Sequence, residues 1–335
     1  MKTYNVIKQN GILLNANESY YNVSDEILQE ILMAIKDIAF HRYPEDSNAL
    51  LCESYSKYVK LEKSQIMAGN GSDELLGLMI GLTIKKGKKL YTMAPDFSMY
   101  DYYVSMHEGE VITYKNGAED VFDVTQFIEK GKKEKVDMIL FSNPNNPTGK
   151  SLTEQEIITI IEAFKDKVII VDEAYGEFND VSMIPYVNTY KNLFVTRTLS
   201  KAFGMAGIRC GFLMGNKESM EKVIPYKVPY NVNTLTQCVG SIILNHVEEI
   251  KENINEIKKE RDLLYQEYQK LNKEDLKLYP SKANYLYGKT TRFTDLKNAF
   301  EKENIQIRYY QNNSFRITIS SKEVNINVLH VLKTF

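Results

Sequence analysis

Residues 136–175 read VDMILFSNPNNPTGKSLTEQEIITIIEAFKDKVIIVDEAY. The apolar runs Val136–Phe141 and Val168–Val171 have the length and composition of strands that are covered on both faces. Between them, Glu154–Phe164 has helical periodicity, and Thr153 is a suitable N-cap for that helix. A strand, a helix and a second strand in this order predict a parallel pair of strands covered by a helix.

The same alternation continues in both directions, from about Gln65 to Gly215. Asp73–Thr83 has the pattern of a further helix. The other predicted strands are Gln65–Ala68, Lys89–Met93, Val111–Tyr114, Asn192–Thr196 and Ile208–Met214. The sequence therefore predicts an α/β fold whose large domain holds a mostly parallel, helix-covered sheet.

The pattern changes after Pro229. Asn233–Leu271 predicts a long, charged linking helix with a break near Val247. Beyond Leu276, the predicted strand, helix, strand, strand and helix are Tyr285–Tyr287, Thr294–Glu303, Gln306–Arg308, Phe315–Ile319 and Asn325–Thr334. We expect three parts: residues 1–40 form an arm that packs on the small domain, residues 41–230 the large domain, and residues 231–335 the linking helix and the small α+β domain.

The composition of the chain is that of an ordinary globular protein. Of 335 residues, 43% are hydrophobic and 26% are charged, and the formal net charge of -2 does not favour binding to nucleic acid or membrane surfaces. The three cysteines form no CxxC pair, and the four histidines have no metal-ligand spacing, so we expect reduced thiols and no metal. No apolar run is long enough for a signal peptide or a membrane span. These features predict a cytoplasmic protein.

Polar side chains follow several predicted strands, at the edge of the sheet where α/β proteins bind ligands. The loop SNPNNPTG after Val136–Phe141 is either a rigid turn or a support for the amide of Asn146. After Val168–Val171, Asp172 could cap a helix, bind a metal or nucleotide, or pair with a cation such as a protonated pyridine nitrogen.

Two more strand ends suggest an anion site with a reactive lysine. Thr198, Ser200 and Arg209 are suitable phosphate ligands, and Lys201 between them is either an exposed lysine or a Schiff-base lysine with a lowered pKa. The segment AGNGSDELL at residues 68–76 opens a helix whose backbone N–H groups could hold an anion. An ordinary N-cap turn would look the same.

Together, GSDE, SNPNNPTG, VDEAY and TLSKAFGMAGIRCGF resemble the fold type I pyridoxal-phosphate-dependent aminotransferases. The SKxxxxxGxRxG run from Ser200 to Gly211 is specific, and its combination with NPxNPTG makes a chance match improbable. The resemblance implies pyridoxal 5′-phosphate as cofactor, bound in the large domain. It also implies that Lys201 forms the Schiff base and later carries the proton between the substrate's Cα and the cofactor.

The resemblance assigns further roles by motif position. Asp172 would pair with the pyridine nitrogen, and Asn146 and Tyr175 would hydrogen-bond the phenolic oxygen. Phe97 in PDFSMY would stack on the ring. The implied ligands of the cofactor phosphate are Ser72, Asp73, Thr198, Ser200 and Arg209.

The resemblance also implies one contact with the partner subunit's cofactor and one contact with the substrate. Tyr43 in RYPE corresponds to a tyrosine that reaches the partner subunit's cofactor phosphate, which implies a homodimer with shared sites. Arg316 in SFRITIS corresponds to the arginine that binds the substrate carboxylate or the group that replaces it. An interface tyrosine and an edge-strand arginine without these contacts are the plainer alternatives.

LNANES at 14–19, RYPE at 42–45, RTLSKAFGMAGIRCGF and FRITIS resemble the histidinol-phosphate aminotransferases within this family. The implied reaction converts histidinol phosphate and 2-oxoglutarate to imidazole acetol phosphate and glutamate, in histidine biosynthesis. Arg308 would be a candidate ligand of the substrate phosphate. Some relatives carry a substrate-facing tyrosine where this chain has Ser19, and Tyr20 or Tyr21 could replace it.

Other functions remain open at this point. Threonine-phosphate decarboxylases share the fold and cofactor but break a different bond at Cα, and other small aminotransferases are further candidates. A non-catalytic regulator would carry a DNA-binding domain ahead of residue 12, which we do not expect. A plain nucleotide-binding protein is not expected either, because the chain has neither GxxxxGK[ST] nor GxGxxG.

Overall fold

A computed structural model describes residues 11–335 of the chain, so the first ten residues of the predicted arm lie outside the described part. The strands are β1 Ile12–Leu14, β2 Ile66–Asn70, β3 Lys89–Ala94, β4 Glu110–Lys115, β5 Met138–Ser142, β6 Val168–Asp172, β7 Leu193–Thr198, β8 Cys210–Gly215, β9 Leu276–Tyr279, β10 Tyr285–Thr290, β11 Ile305–Tyr310 and β12 Ser314–Thr318. The helices are α1 Asp25–Ile35, α2 Ala49–Val59, α3 Ser72–Thr83, α4 Met99–Met106, α5 Val124–Glu134, α6 Glu154–Ala163, α7 Lys217–Val223, α8 Thr234–Ile243, α9 Val247–Gln269, α10 Phe293–Lys302 and α11 Lys322–Thr334.

The large sheet has seven strands in the order β2-β8-β7-β6-β5-β3-β4. Only β8 runs against the other six, because its pairs with β2 and β7 are both antiparallel. The central strands β5 and β7 are buried along their whole length, as is expected where both faces of a sheet are covered. This confirms the predicted α/β fold with a mostly parallel sheet.

The register of the central strands brings the predicted polar residues together. Ser142 at the end of β5 lies beside Asp172 at the end of β6, and Asp172 lies beside Thr196 of β7. Because neighbouring parallel strands end at the same edge of the sheet, the loops that follow them also meet there. That edge carries the candidate site.

Helix α6 begins as the sequence predicts. The Thr153 hydroxyl accepts from Glu156 N at 3.3 Å, and the Glu156 carboxylate accepts from Thr153 N at 2.7 Å, so the two residues form a capping box. Such a cap stabilises a helix by about 1 kcal/mol.

Several predicted boundaries are wrong by one or two residues. The strand expected at Val136–Phe141 begins at Met138, and the strand expected at Ile208–Met214 begins at Cys210. The second shift has a local cause: residues 206–208 form a short 3-10 turn, and Arg209 has a left-handed backbone with φ 52°. A residue in that conformation cannot continue a strand.

The small sheet has five strands in the order β1-β11-β12-β10-β9. Its outer strands β1 and β9 are only three and four residues long, and the sequence pattern did not predict them. Strand β1 pairs parallel with β11, which joins the described part of the N-terminal segment to this sheet. The linking helix is broken as expected, since α8 ends at Ile243 and α9 begins at Val247. The division into arm, large and small domains stays a prediction.

Candidate active site

A cavity of about 580 Å³ lies at the carboxyl ends of the central strands, between the two sheets and the N-terminal segment. Twelve of the residues predicted for the site line it: Ser72, Asp73, Phe97, Asn146, Asp172, Tyr175, Thr198, Ser200, Lys201, Arg209, Arg308 and Arg316. These residues come from seven separate stretches of the sequence. The fold therefore brings most of the predicted site into one cavity.

Asp172 is a buried carboxylate on the cavity wall. Its Oδ2 accepts from the Tyr100 hydroxyl at 2.8 Å, and its Oδ1 accepts from the Thr196 hydroxyl at 2.9 Å. Burial raises the pKa of Asp172 to about 6, against the opposing effect of these hydrogen bonds. A cationic ligand group beside Asp172 would restore its preference for the charged form.

Lys201 also lines the cavity, and its Nζ donates to the carbonyl oxygen of Ala16 at 2.7 Å. Burial, and after it the nearby cation of Arg316, lower the pKa of Lys201 to about 8. Arg209 also lowers this pKa, but its effect is smaller than those of burial and Arg316. A lysine in this environment is a competent nucleophile near neutral pH.

Three residues of the anion-binding motifs meet at one end of the cavity. The Arg209 guanidinium donates to Asp73 Oδ2 at 3.1 Å and to the Ser200 hydroxyl at 3.4 Å. A Cβ added at Gly71 would lie 2.8 Å from Arg209 Nη2, and one at Gly211 would lie 2.2 Å from the backbone nitrogen of Ser72. Gly211 must therefore lack a side chain for the backbone of Ser72 to approach it, and Gly71 is favoured by its positive φ of 82°.

Thr198 lines the cavity, but its hydroxyl is already used within the turn. It donates to the carbonyl of Cys210 at 3.1 Å and accepts from the backbone nitrogen of Ser200 at 3.1 Å. Its hydroxyl proton is thus not directed at an anion in the cavity. The position of Thr198 instead supports the turn that presents Ser200 and Lys201.

Asn146 and Phe97 are held by Asp96, a residue that the sequence reasoning missed. The Asp96 carboxylate accepts from the Ser142 hydroxyl, from Ser142 N at 3.1 Å and from Phe97 N at 2.8 Å. The Ser142 oxygen in turn accepts from Asn146 N at 2.9 Å. Burial raises the pKa of Asp96 to about 7. An acidic residue shortly after the predicted strand Lys89–Met93 was the available signal.

Arg316 and Arg308 lie directly opposite each other on the antiparallel strands β12 and β11, and both line the cavity. Arg316 Nη1 donates to Asn146 Oδ1 at 2.5 Å, and Nη2 donates to the carbonyl of Asn15 at 2.9 Å. Like charges at directly opposite positions of a sheet repel each other. A bound anion between them would offset this repulsion.

Tyr43 and Tyr20 do not line this cavity in the single chain. Tyr43 is 82% exposed and stacks on Tyr230, with ring centroids 4.9 Å apart. Tyr20 is half-buried and packs against Tyr21, with ring centroids 4.3 Å apart. The roles predicted for both tyrosines stay predictions.

The family model described as aminotransferase class I and II matches residues 9–332. The chain belongs to this aminotransferase family. Curated relatives of this aminotransferase include the histidinol-phosphate aminotransferase of Clostridium kluyveri, 38% identical over 96% of this chain and 92% of the relative. That of Pyrococcus furiosus is 35% identical over 97% of this chain and 92% of the relative.

Solved structures resemble this aminotransferase over nearly its whole length. The histidinol-phosphate aminotransferase of Clostridium acetobutylicum has a TM-score of 0.86 at 26% identity, covering 96% of this chain and 98% of that one. The enzyme of Sinorhizobium meliloti, in complex with pyridoxal-5′-phosphate, has a TM-score of 0.86 at 20% identity, covering 96% and 90%. L-threonine-O-3-phosphate decarboxylase of Porphyromonas gingivalis has a TM-score of 0.81 at 22% identity, covering 97% and 99%. Because their identities are only 20% and 22%, the last two similarities show a shared fold and nothing more.

Two further observations concern residues 11–335 of this aminotransferase. No helix in that range is long and apolar enough to cross a membrane. No group of three or more histidine, cysteine, aspartate or glutamate side chains within it is arranged to hold a metal ion.

Proposed function

We propose that this aminotransferase uses pyridoxal 5′-phosphate to transfer the amino group of histidinol phosphate to 2-oxoglutarate, in histidine biosynthesis. The products would be imidazole acetol phosphate and glutamate. The observation that carries the substrate assignment is the pair Arg308 and Arg316, opposite each other in the cavity that also holds Lys201. The curated relatives named histidinol-phosphate aminotransferase support the same substrate.

The residues present fit the cofactor at both of its ends. The buried Asp172 carboxylate would pair with the protonated pyridine nitrogen, and Phe97 would stack on the ring. The cofactor phosphate would lie where Gly71 and Gly211 allow close backbone approach, held by Ser72, Ser200 and Arg209. Asp73 would contribute its backbone N–H at the start of α3, because its carboxylate is already paired with Arg209.

The cofactor supplies a carbonyl that forms a Schiff base with amines and a ring that accepts electrons from the substrate's Cα. Lys201 would form that bond, and once released it would move the proton to and from Cα. The carbonyl of Ala16, 2.7 Å from Nζ, orients the lysine when its amino group is free. Asn146 and Tyr175 would donate to the cofactor's phenolic oxygen.

Loading of the protein with pyridoxal phosphate is expected to accelerate with pH through a midpoint near 8. The neutral amine of Lys201 is the nucleophile, and the lowered pKa of Lys201, about 8, sets the fraction that is neutral. The Schiff base between Lys201 and the cofactor would absorb visible light. The rate at which this visible band appears, measured after mixing at pH 6.5 to 9.5, checks the expectation. A rate that still rises about tenfold per pH unit up to pH 9.5, as for an exposed lysine, would contradict a lowered pKa for Lys201.

Arg308 and Arg316 would share the phosphate of histidinol phosphate, which takes the place of an amino acid's carboxylate. A doubly charged phosphate fits two guanidinium groups better than a singly charged carboxylate does. Phosphothreonine also carries a phosphate, so a threonine-phosphate decarboxylase is the second candidate.

Arg308→Gln is expected to lower kcat/KM for histidinol phosphate about 10- to 100-fold, because it removes one charge-assisted contact. Histidine, with the same imidazole side chain but a carboxylate for the phosphate-bearing group, is the matched donor. Its kcat/KM should fall by much less, since Arg316 alone suffices for a carboxylate. Initial rates with both donors check this, and equal losses for the two would contradict a phosphate role for Arg308.

We propose that the enzyme is a homodimer in which Tyr43 reaches the partner's cofactor phosphate. Tyr43 is 82% exposed, and it lies in a groove with other exposed apolar residues, including Phe40 and Tyr230. Exposed apolar residues grouped in this way are typical of an interface. Sedimentation velocity at the concentrations used for kinetics checks the dimer, and a single-chain mass would contradict it.

We propose a cytoplasmic location for the enzyme. All three cysteines are free, and Cys52 and Cys210 are buried. Free thiols are typical of proteins in reducing compartments. Fractionation of the source cells would test this, and recovery of the enzyme outside the cytoplasmic fraction would contradict it.

A further inference from the structure

Three consecutive residues of the N-terminal segment contact three different residues of the site. The carbonyl of Asn15 accepts from Arg316, the carbonyl of Ala16 accepts from Lys201, and Asn17 Nδ2 donates to the Tyr175 hydroxyl at 2.8 Å. The first two contacts use backbone atoms. The third uses a side chain, so the identity of residue 17 matters to the site.

Asn17 is held firmly in place. It is fully buried, and its backbone is left-handed with φ 57°, a conformation that asparagine tolerates better than most residues. Its backbone nitrogen donates to the Thr318 hydroxyl at 3.0 Å, and its carbonyl accepts from Asn284 Nδ2 at 3.1 Å. These backbone contacts hold residue 17 in place, and the Thr318 hydroxyl lies 3.2 Å from Asn17 Oδ1, which leaves Nδ2 directed toward Tyr175.

The hydrogen bond from Asn17 determines where the Tyr175 hydroxyl can send its proton. A phenol has one proton to donate, and its oxygen can accept. Because Asn17 donates to this oxygen, the Tyr175 proton must point elsewhere. Within residues 11–335, no protein acceptor takes it, and Tyr175 lines the cavity.

We propose that Asn17 is a positioning residue that directs the Tyr175 hydroxyl proton into the cavity, so that Tyr175 donates to the cofactor's phenolic oxygen. This inference rests on the proposed cofactor. Asn17 itself touches no reacting atom and acts through Tyr175. Because the Asn17 amide donates to the Tyr175 hydroxyl, Tyr175 cannot donate its own proton to Asn17 in return.

The arrangement has a spectroscopic consequence. A donor on the phenolic oxygen stabilises negative charge there, which favours loss of the proton from the Lys201 nitrogen joined to the cofactor. Without that donor, the pH midpoint of the visible band should rise. The charged and titratable groups around Lys201 and Tyr175 are Glu18, Asp73, Asp172, Arg209, Tyr285, Tyr310 and Arg316, and the test leaves all of them in place.

The test compares the pH midpoint of the visible band in the holoenzyme, Asn17→Gly, Tyr175→Phe and the double variant. Glycine suits the left-handed backbone and retains both backbone hydrogen bonds of residue 17. We expect Asn17→Gly to raise the midpoint by about 0.5 to 1 pH unit, and Tyr175→Phe by about 1 to 2. The double variant should match Tyr175→Phe alone, since Asn17 acts only through the hydroxyl.

If Tyr175→Phe shifts the pH midpoint of the band and Asn17→Gly leaves it unchanged, the role of Asn17 is contradicted. The cofactor assignment would still stand. Additive shifts in the double variant would overturn the inference too, because they would show that Asn17 acts by another route. If the unsubstituted protein had no visible band with pyridoxal phosphate, the cofactor assignment would fail, and this inference with it.

Discussion

Replacing Lys201 with alanine is expected to lower kcat by at least about 10⁴-fold, the largest loss of any single substitution in the site. The proposed mechanism uses this amine twice, first to bind the cofactor covalently and then to carry the proton at the substrate's Cα. No other lysine lines the cavity in the part of the chain that the structure describes. Steady-state rates with histidinol phosphate and 2-oxoglutarate measure the effect.

Lys201→Arg is the matched control, because it retains a cation at this position but not a nucleophile. It should be about as inactive as Lys201→Ala. Borohydride reduction followed by mass spectrometry gives a second readout: only the unsubstituted protein should retain one reduced cofactor per chain, attached to the peptide with Lys201. Activity within about 10-fold of the unsubstituted enzyme in either variant would contradict the role of Lys201.

Asp172→Asn is expected to lower kcat/KM about 10²- to 10³-fold, since it removes the charge that would keep the pyridine nitrogen protonated. The amide is close in shape to the carboxylate, so the loss should reflect charge more than packing. Asp172→Glu, which retains the charge but moves it, should lose less. A smaller loss in the asparagine variant than in the glutamate variant would contradict the proposed pairing.

The stability of the cofactor-free protein separates this role from a purely structural one. The folded-state pKa of Asp172 is raised to about 6 by burial, above its unfolded value. Between these two pKa values Asp172 is protonated in the folded protein but ionised in the unfolded chain. The stability that the protonated carboxyl gives the folded protein is therefore lost as pH rises from about 4 to about 6. Above this range, cofactor-free Asp172→Asn should melt at a higher temperature than the unsubstituted protein, while pyridoxal phosphate should stabilise it less. Thermal melts at pH 7.5 with and without cofactor measure both effects.

The sequence predicted the centre of the fold because its signals there are local. Residues 136–175 contain a strand, a loop, a capped helix and a second strand within one continuous stretch, and the structure has all of them. Lys201, Asp172 and Asn146 could be predicted in the same way, since each lies at or shortly after the end of a buried strand. Strand ends on one edge of a parallel sheet must lie near each other.

The contacts of the N-terminal segment could not be predicted, because they join residues far apart in the chain. Asn17 and Tyr175 are 158 positions apart, and Lys201 and Ala16 are 185 apart. Strand β1, which leads into this segment, is three residues long and has no periodicity to detect. The use of the Thr198 hydroxyl within its own turn also depends on three-dimensional geometry, because it bonds the backbone of Cys210.

The visible spectrum of the holoenzyme during a half-reaction tests the central claim most directly. Histidinol phosphate is added alone to one sample and threonine phosphate to a parallel sample, followed in each by 2-oxoglutarate. The proposed function predicts that histidinol phosphate bleaches the visible band without release of carbon dioxide, and that 2-oxoglutarate restores it. A band that does not respond to histidinol phosphate, but changes with threonine phosphate as carbon dioxide is released, would contradict the proposed function.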